Sequence, residues 1–174
     1  IYSPEMLFRN CLSFPLTTKL VYRRSIIEDN SLSFDPRIKS GEVYGFTVDF
    51  MSHISSISVV SSYFYNYVMR EDSAIHAPNY ESDLSVLSLM ERFQGLKCKW
   101  IGTDAFVLTY YRLVMSFTMN KYVKNGLADQ MTLSYVKKLL SDKAFRKYRH
   151  AVAFGRTIPL RERLMAMMTL IFPS

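Results

Sequence analysis

Two short neighbouring runs are rich in β-branched and aromatic residues, and they constrain the fold more than any other feature of the sequence. They cover residues 56–61 (SISVVS) and 63–69 (YFYNYVM), and both have the composition and length of β-strands. After residue 80 the apolar residues recur only at helical spacing. Helix starts are indicated there at Ser82, Thr103, Thr132, Asp142 and Pro159. We therefore expect an α+β, mostly helical chain whose strands lie before residue 80.

A helix is predicted directly before the first strand run. Glu42 would lie in its first turn, where a carboxylate suits the positive end of the helix dipole. A proline, a serine and a glycine mark a loop just before it, and short helical stretches are predicted at residues 4–11 and 24–30. The apolar positions that define the 42–54 helix are Phe46, Phe50, Met51 and Ile54.

The bulk composition fits a globular chain, because 174 residues with 49% hydrophobic content can bury one sizeable core. We divide the chain into residues 1–79 and a helical extension, residues 80–174. No uncharged apolar run reaches the roughly 18 residues of a spanning helix. Cys11 and Cys98 have no ligand-like spacing, which favours a reducing compartment. The chain begins at Ile1 without a signal-peptide pattern, so we expect it to be cut from a longer protein.

The net charge of +7 belongs entirely to the C-terminal part of the chain. Residues 133–174 contain nine Lys and Arg residues against Asp142 and Glu162, and residues 1–132 are neutral overall. Clusters of cations beside apolar helix faces favour anionic headgroups, although a solvated basic face is an equally good interpretation. Aromatic residues accompany these cations, but no nucleic-acid-binding motif does, so no nucleic-acid partner is expected. The stretch 164–168 (LMAMM) has the spacing of a buried helix face.

Five segments of the first half resemble, in order and separation, blocks of bacterial family 2 (GT-A type) glycosyltransferases. They are residues 19–25 (KLVYRRS), 26–30 (IIEDN), 33–35 (SFD), 41–46 (GEVYGF) and 65–75 (YNYVMREDSAI). In that family a "kLyrrslle" segment leads through "glrFde" to a "gED" block that opens a helix. A strand pair then ends in "lYyYrxrxxSI". The resemblance covers about residues 17–77, and it identifies the chain with the C-terminal half of such an enzyme.

The resemblance implies the acceptor-side portion of a GT-A α/β fold, with short strands plus a helix, followed by the helical region. It implies inverting transfer of a sugar from a nucleotide-sugar donor to a polysaccharide or lipid-linked acceptor, in which a carboxylate accepts the acceptor's proton. Glu42 matches the family's Glu and is the candidate catalytic base. Arg70, near the donor diphosphate, and Tyr44, Tyr67 and Ser73 are the candidate substrate-binding residues.

The chain departs from the family at one position that matters for catalysis. Val43 stands where the family has the Asp that acts as the base. Either Glu42 serves instead, or the protein is an inactive or altered relative, or the pairing of this block is off by one residue. Asp49 is a poorer substitute, because two helical turns separate it from the loop that meets the acceptor.

The resemblance also sets expectations for cofactor and location. A divalent cation, Mg²⁺ or Mn²⁺, is expected for the full-length enzyme, bound by a DxD motif that this chain lacks, and no metal site is expected here. The 174-residue chain alone is expected to be inactive. We expect a cytoplasmic location, with peripheral attachment to the inner face of the cell membrane as an open alternative. The competing hypothesis is a non-catalytic basic helical adaptor that docks on a membrane surface or an acidic partner.

Overall fold

A computed structural model describes residues 1–6, 20–60, 66, 68, 79–118 and 130–171, with the side chains of 116–118 excepted. Within these ranges the chain is built of helices joined by short turns. Those of the first half are α1 (Arg24–Asp29), α2 (Glu42–Ser52), α3 (Tyr80–Leu84) and α4 (Val86–Gly95). Those that follow are α5 (Asp104–Thr118), α6 (Gln130–Ser141), α7 (Lys143–Phe154) and α8 (Leu160–Ile171).

Side chains at the helix starts explain several of these boundaries. The Asp142 carboxylate accepts a hydrogen bond from Phe145 N at 2.8 Å, which confirms the predicted cap of α7. The helix predicted to start at Ser82 begins earlier, because the Asn79 side chain accepts from Ser82 N at 3.0 Å and so caps α3. That helix breaks at Ser85, where α4 continues it. The predicted helices of residues 24–30 and 42–54 are confirmed as α1 and α2.

The expected α+β fold, with an acceptor-side GT-A portion, is wrong. About 65% of the described residues are helical and 2% are extended, and these residues contain no sheet. In the predicted strand 56–61, the described part forms a single antiparallel bridge between Ile57 and Tyr2. The side chains of Val59 and Val60 remain 60% and 65% exposed, so most of their surface is open to solvent. Of the second predicted strand only Asn66 and Val68 are described, neither of them extended in a ladder, and the rest lies outside the described residues.

Helix α7 lies at the centre of the helical packing. It packs against α4, α5, α6 and α8, because its buried positions recur every three to four residues and cover a broad face. Phe145 and Val152 on this face are completely buried. Each such side chain stabilises the fold by about 1.5–3 kcal/mol relative to exposure.

One hydrophobic core joins the segments before and after residue 80. It contains Val48 and Met51 of α2, Leu89 and Phe93 of α4, and buried residues of α5, α6, α7 and α8. Helix α2 packs on α4, and α3 packs on α6. The division at residues 79 and 80 stays a prediction, but apolar contacts cross it without interruption in the described part of the chain.

Candidate functional site

Glu42 lies in the first turn of α2, as the sequence predicts. The preceding residue, Gly41, has φ +85°, a left-handed conformation that residues with a Cβ rarely adopt. This turn sends the chain from the loop directly into the helix. Glu42 is half-exposed, and no ion pair within the described ranges involves it. Its carboxylate is therefore open to water at the positive end of a helix dipole.

Three of the five blocks that carry the resemblance meet on α2. Tyr22, from block 19–25, packs edge-on against Phe46 and Phe50, with ring centroids 5.2 and 4.8 Å apart. Its hydroxyl lies 2.9 Å from Thr47 Oγ1, and burial raises its pKa. Phe34, from block 33–35, stacks on Phe46 at 4.5 Å. Segments that are separate in the sequence thus share one aromatic cluster with the helix that begins at Glu42.

The loop before Glu42 is held by the helices after residue 79. Ser85 Oγ accepts hydrogen bonds from Lys39 N at 2.8 Å and from Ser40 N at 3.0 Å. Ser40 Oγ donates to Asp83 Oδ1 at 2.8 Å. A Cβ added to Gly41 would lie 2.8 Å from Leu89 Cδ1, closer than side chains tolerate. The backbone therefore approaches α4 closely at this point, and glycine permits it.

A network of two acids and two arginines connects the same loop to α2 and α4. Asp35 accepts from Arg37 through Nε at 2.9 Å and Nη2 at 2.6 Å. Arg92 of α4 contacts Asp35 at 3.4 Å and also pairs with Asp49 of α2. The Arg37 hydrogen bonds hold the pKa of Asp35 well below its usual range, whereas burial raises the pKa of Asp49 against the opposing charge of Arg92.

This network decides which carboxylate of α2 is accessible. Asp49 is 5% exposed and paired with Arg92, so its carboxylate is not open to a molecule in solution. The sequence offered no signal for Arg92, because nothing in the spacing of its helix links it to Asp35 or Asp49. Between the two acids of α2, Glu42 is the accessible one.

Of the other predicted site residues, the structure describes one. Tyr44 lies on the first turns of α2, and burial raises the pKa of its hydroxyl. Arg70, Tyr67 and Ser73 lie outside the described residues. Whether these three approach Glu42 and Tyr44 thus stays a prediction.

The basic C-terminal part presents its charge outward. The exposed charged side chains of residues 130–171 are all cations, and none of them has a carboxylate within 4 Å among the described residues. Asp142 is used as a cap, and Glu162 pairs with Arg112. The exposed cations are Lys137, Lys138, Lys143, Arg146, Lys147, Arg156 and Arg161. Arg149 belongs to the same basic stretch of sequence, but its side chain is only 3% exposed.

A depression of about 590 Å³ runs along α6, lined by six residues of that helix, including Lys137 and Lys138. Since one helix supplies all its lining, it is a surface groove and not an enclosed site. Within the described ranges, no three His, Cys, Asp or Glu side chains lie together as metal ligands. The Mg²⁺ or Mn²⁺ expected for the full-length enzyme stays a prediction. None of the described helices combines the length and apolarity needed to cross a bilayer.

Comparison with known proteins returns no match: no protein-family model, curated protein or solved structure is similar to this chain. The resemblance to family 2 glycosyltransferases accordingly stays a prediction that rests on the five sequence blocks.

Proposed function

We propose that this chain is a fragment of an inverting glycosyltransferase, with Glu42 as the base that accepts the acceptor's proton. The observation that carries the proposal is the meeting of blocks 19–25, 33–35 and 41–46 on the helix that begins at Glu42. The support comes from these residues and not from a GT-A sheet, which the described residues lack.

A carboxylate that acts as the base in this reaction must meet three requirements, and the structure around Glu42 is compatible with two of them. A base must be accessible, and Glu42 is half-exposed. It must be held in position, and the hydrogen bonds from Lys39 N and Ser40 N to Ser85 fix the loop that precedes it. The third requirement, a donor diphosphate beside it, belongs in this proposal to the nucleotide-binding half, which the resemblance places before residue 19.

The test uses the full-length gene product that contains this chain. Release of nucleoside diphosphate from a panel of nucleotide sugars is measured with and without a membrane extract as a source of lipid-linked acceptors. We expect acceptor-dependent release, and we expect Glu42→Gln to lower kcat by about 10²-fold or more with a smaller change in KM. Glu28→Gln is the matched control, because Glu28 is an exposed helix glutamate whose contact is an ion pair with Arg24.

Two results would contradict this proposal. One is the absence of acceptor-stimulated release with every donor. The other is an unchanged kcat in Glu42→Gln, which would remove the base from this position and favour an inactive or altered relative.

A second candidate function is supported by the exposed cations of residues 130–171. We propose that they hold the protein at an anionic membrane surface, either as part of the enzyme or as a non-catalytic adaptor. Each cation near such a surface contributes about 1 kcal/mol. Replacing Lys137, Lys138, Arg146 and Lys147 by Gln should weaken binding to anionic liposomes while leaving the fold intact, because all four are exposed. Equal binding of the wild-type chain to neutral and anionic liposomes would argue against this function.

A further inference from the structure

The outward face of α8 carries a continuous apolar stripe. Leu160, Leu164, Met168 and Ile171 are 66%, 50%, 53% and 77% exposed. At 3.6 residues per turn their positions fall within an arc of about 80°. The stretch 164–168 was expected to face the core, but its burial is split: Ala166 is completely buried, while Leu164 and Met168 face outward.

The orientation of this stripe is fixed by contacts on the opposite side of the helix. Ala166 faces the core, and the guanidinium of Arg149 on α7 donates a hydrogen bond to the carbonyl of Thr169. Helix α8 packs more extensively on α7 than any other described pair of helices does. Rotating α8 to bury the stripe would therefore break its contacts with α7.

Basic and aromatic side chains adjoin the start of the stripe. Phe154 ends α7 and is 65% exposed, and residues 155–159 connect it to Leu160. Two hydrogen bonds stabilise this corner: Arg163 Nε donates to Ala153 O at 3.2 Å, and Thr157 N donates to Asp104 Oδ2 at 2.9 Å. Arg156 and Arg161 are both exposed at the same corner. The corner thus places exposed apolar side chains and exposed cations side by side on a backbone that is held by hydrogen bonds.

We propose that the stripe on α8, together with Phe154, inserts into the interfacial region of an anionic lipid bilayer while the neighbouring cations contact the headgroups. The inference rests on the membrane attraction proposed above and adds to it an apolar component. A helix that lies in the bilayer interface has this arrangement, with one apolar face and cations beside it.

Charge and area favour a membrane over a second copy of the chain. All exposed charges of residues 130–171 are positive, so two copies meeting through this region would bring like charges together. Four partly exposed side chains also offer much less than the roughly 800 Å² per partner that a standard protein interface buries. Lipid headgroups provide the opposite charge, and the acyl region accepts side chains without a shaped pocket.

The test uses salt to distinguish apolar insertion from electrostatic attraction. The 174-residue chain is mixed with vesicles of phosphatidylcholine, or of phosphatidylcholine with phosphatidylserine, and bound protein is measured by sedimentation at rising NaCl. Binding to the anionic vesicles should fall as salt screens the cations, yet a fraction should persist at 0.5 M because apolar burial is not screened. In the triple variant Leu164→Gln, Met168→Gln, Ile171→Gln, the partition coefficient at high salt should fall by roughly ten-fold or more.

Matched variants make the outcome specific. The double variant Val59→Gln, Val60→Gln removes comparably exposed apolar side chains outside this region and should bind as the wild type does. The variant in which Lys137, Lys138, Arg146 and Lys147 are replaced by Gln should have a smaller salt-sensitive part, because three exposed cations remain, and it should keep the salt-resistant part. In Met168→Trp, the fluorescence emission should shift to shorter wavelength on anionic vesicles, which reports entry of this position into the apolar region. Circular dichroism confirms that each variant is folded.

Three results would overturn the inference. If the triple variant binds like the wild type at every salt concentration, attraction stands and insertion is wrong. If the wild-type chain binds no vesicle at any salt concentration, both proposals are wrong. If the chain sediments as a dimer that the triple variant converts to a monomer, a second copy covers the stripe instead of lipid.

Discussion

Replacing Arg149 by leucine should destabilise the fold by about 2–4 kcal/mol, because this buried cation ties together the ends of two helices. It lies on α7, and its two terminal nitrogens donate to the carbonyls of Leu140 near the end of α6 and Thr169 near the end of α8. The last carbonyls of a helix have no partner within the helix and carry partial negative charge. Its guanidinium also lies over the Phe145 ring, 5.3 Å from the centroid.

The magnitude follows from gains and costs that partly cancel. Two hydrogen bonds that involve a charged group contribute about 1.5–3 kcal/mol each. Against this, Arg149 is 3% exposed, and within the described residues no carboxylate pairs with it. Burial lowers its pKa, with a smaller effect from the nearby Arg146 charge. Leucine removes this desolvation cost but leaves two carbonyls without their donor, so the net loss is smaller than the sum of the two bonds.

Thermal unfolding of the purified chain, followed by circular dichroism, measures this effect. For a chain of this length, 2–4 kcal/mol corresponds to a drop in Tm of roughly 4–16 °C. Arg149→Lys should give a smaller loss than leucine, since an ammonium retains the charge but lacks the planar fork that reaches two carbonyls. Arg146→Gln, exposed and three residues away, should change stability by less than about 0.5 kcal/mol. If the Tm of Arg149→Leu lies within about 1–2 °C of the wild type, the loss is less than about 1 kcal/mol, and the reasoning is refuted.

Two further predictions concern the loop before α2. Gly41→Ala should lower the free energy of unfolding by about 1–2 kcal/mol, because φ is +85° and the new Cβ would meet a leucine methyl of α4 at 2.8 Å; Gly95→Ala, which meets nothing within 4 Å, is the control in urea titrations. Hydrogen bonds from Arg37 lower the pKa of Asp35 in the folded state, so its stabilising contribution is present above its unfolded pKa of about 4 and is lost as pH falls through the folded value. The urea midpoint of the wild type should therefore exceed that of Asp35→Asn at pH 7, and the difference should shrink progressively as pH falls below about 4. A difference that stays constant from pH 7 down to about pH 2 would contradict the assignment.

Helix positions could be predicted from the sequence because their signals are local. The Asp142 side chain accepts a hydrogen bond from a backbone amide three residues ahead. The effect of Glu42 on the helix dipole likewise depends only on its place in the first turn of its own helix. Apolar residues at intervals of three and four then identify the face that will be buried, without knowledge of what covers it. These signals gave α1, α2, α6 and α7 to within about two residues, the ordinary uncertainty of helix ends.

The strand prediction for residues 56–61 failed in the described part because strand propensity reports how well a side chain packs on a neighbouring strand. This run has the right residue types, but pairing is not local. In the described part Ile57 meets Tyr2 alone, and Val59 remains exposed. A β-rich composition thus did not determine a sheet.

Burial of individual cations and apolar residues was equally hard to predict. Arg149 belongs to the same basic stretch of sequence as Arg146 and Lys147, yet its side chain is buried and donates to carbonyls near the ends of two other helices. Leu164 and Met168 were assigned to a buried face, although α8 turns them outward. Arg92 contacts Asp35 and Asp49, which lie 57 and 43 residues before it in the sequence. Each of these outcomes depends on which helix lies opposite, which no local pattern states.

The candidate base and the helical region are physically one unit. Glu42 is positioned by a loop whose backbone amides are bonded to Ser85, and Asp35 in that loop is contacted by Arg92. Both partners belong to the segment that follows residue 79. Because α4 also packs on α7, the chain of contacts continues from the loop at Glu42 to the helices that carry the exposed cations. If those helices dock on a membrane, the same rigid packing sets how the carboxylate of Glu42 is oriented toward that surface, where a lipid-linked acceptor would be presented.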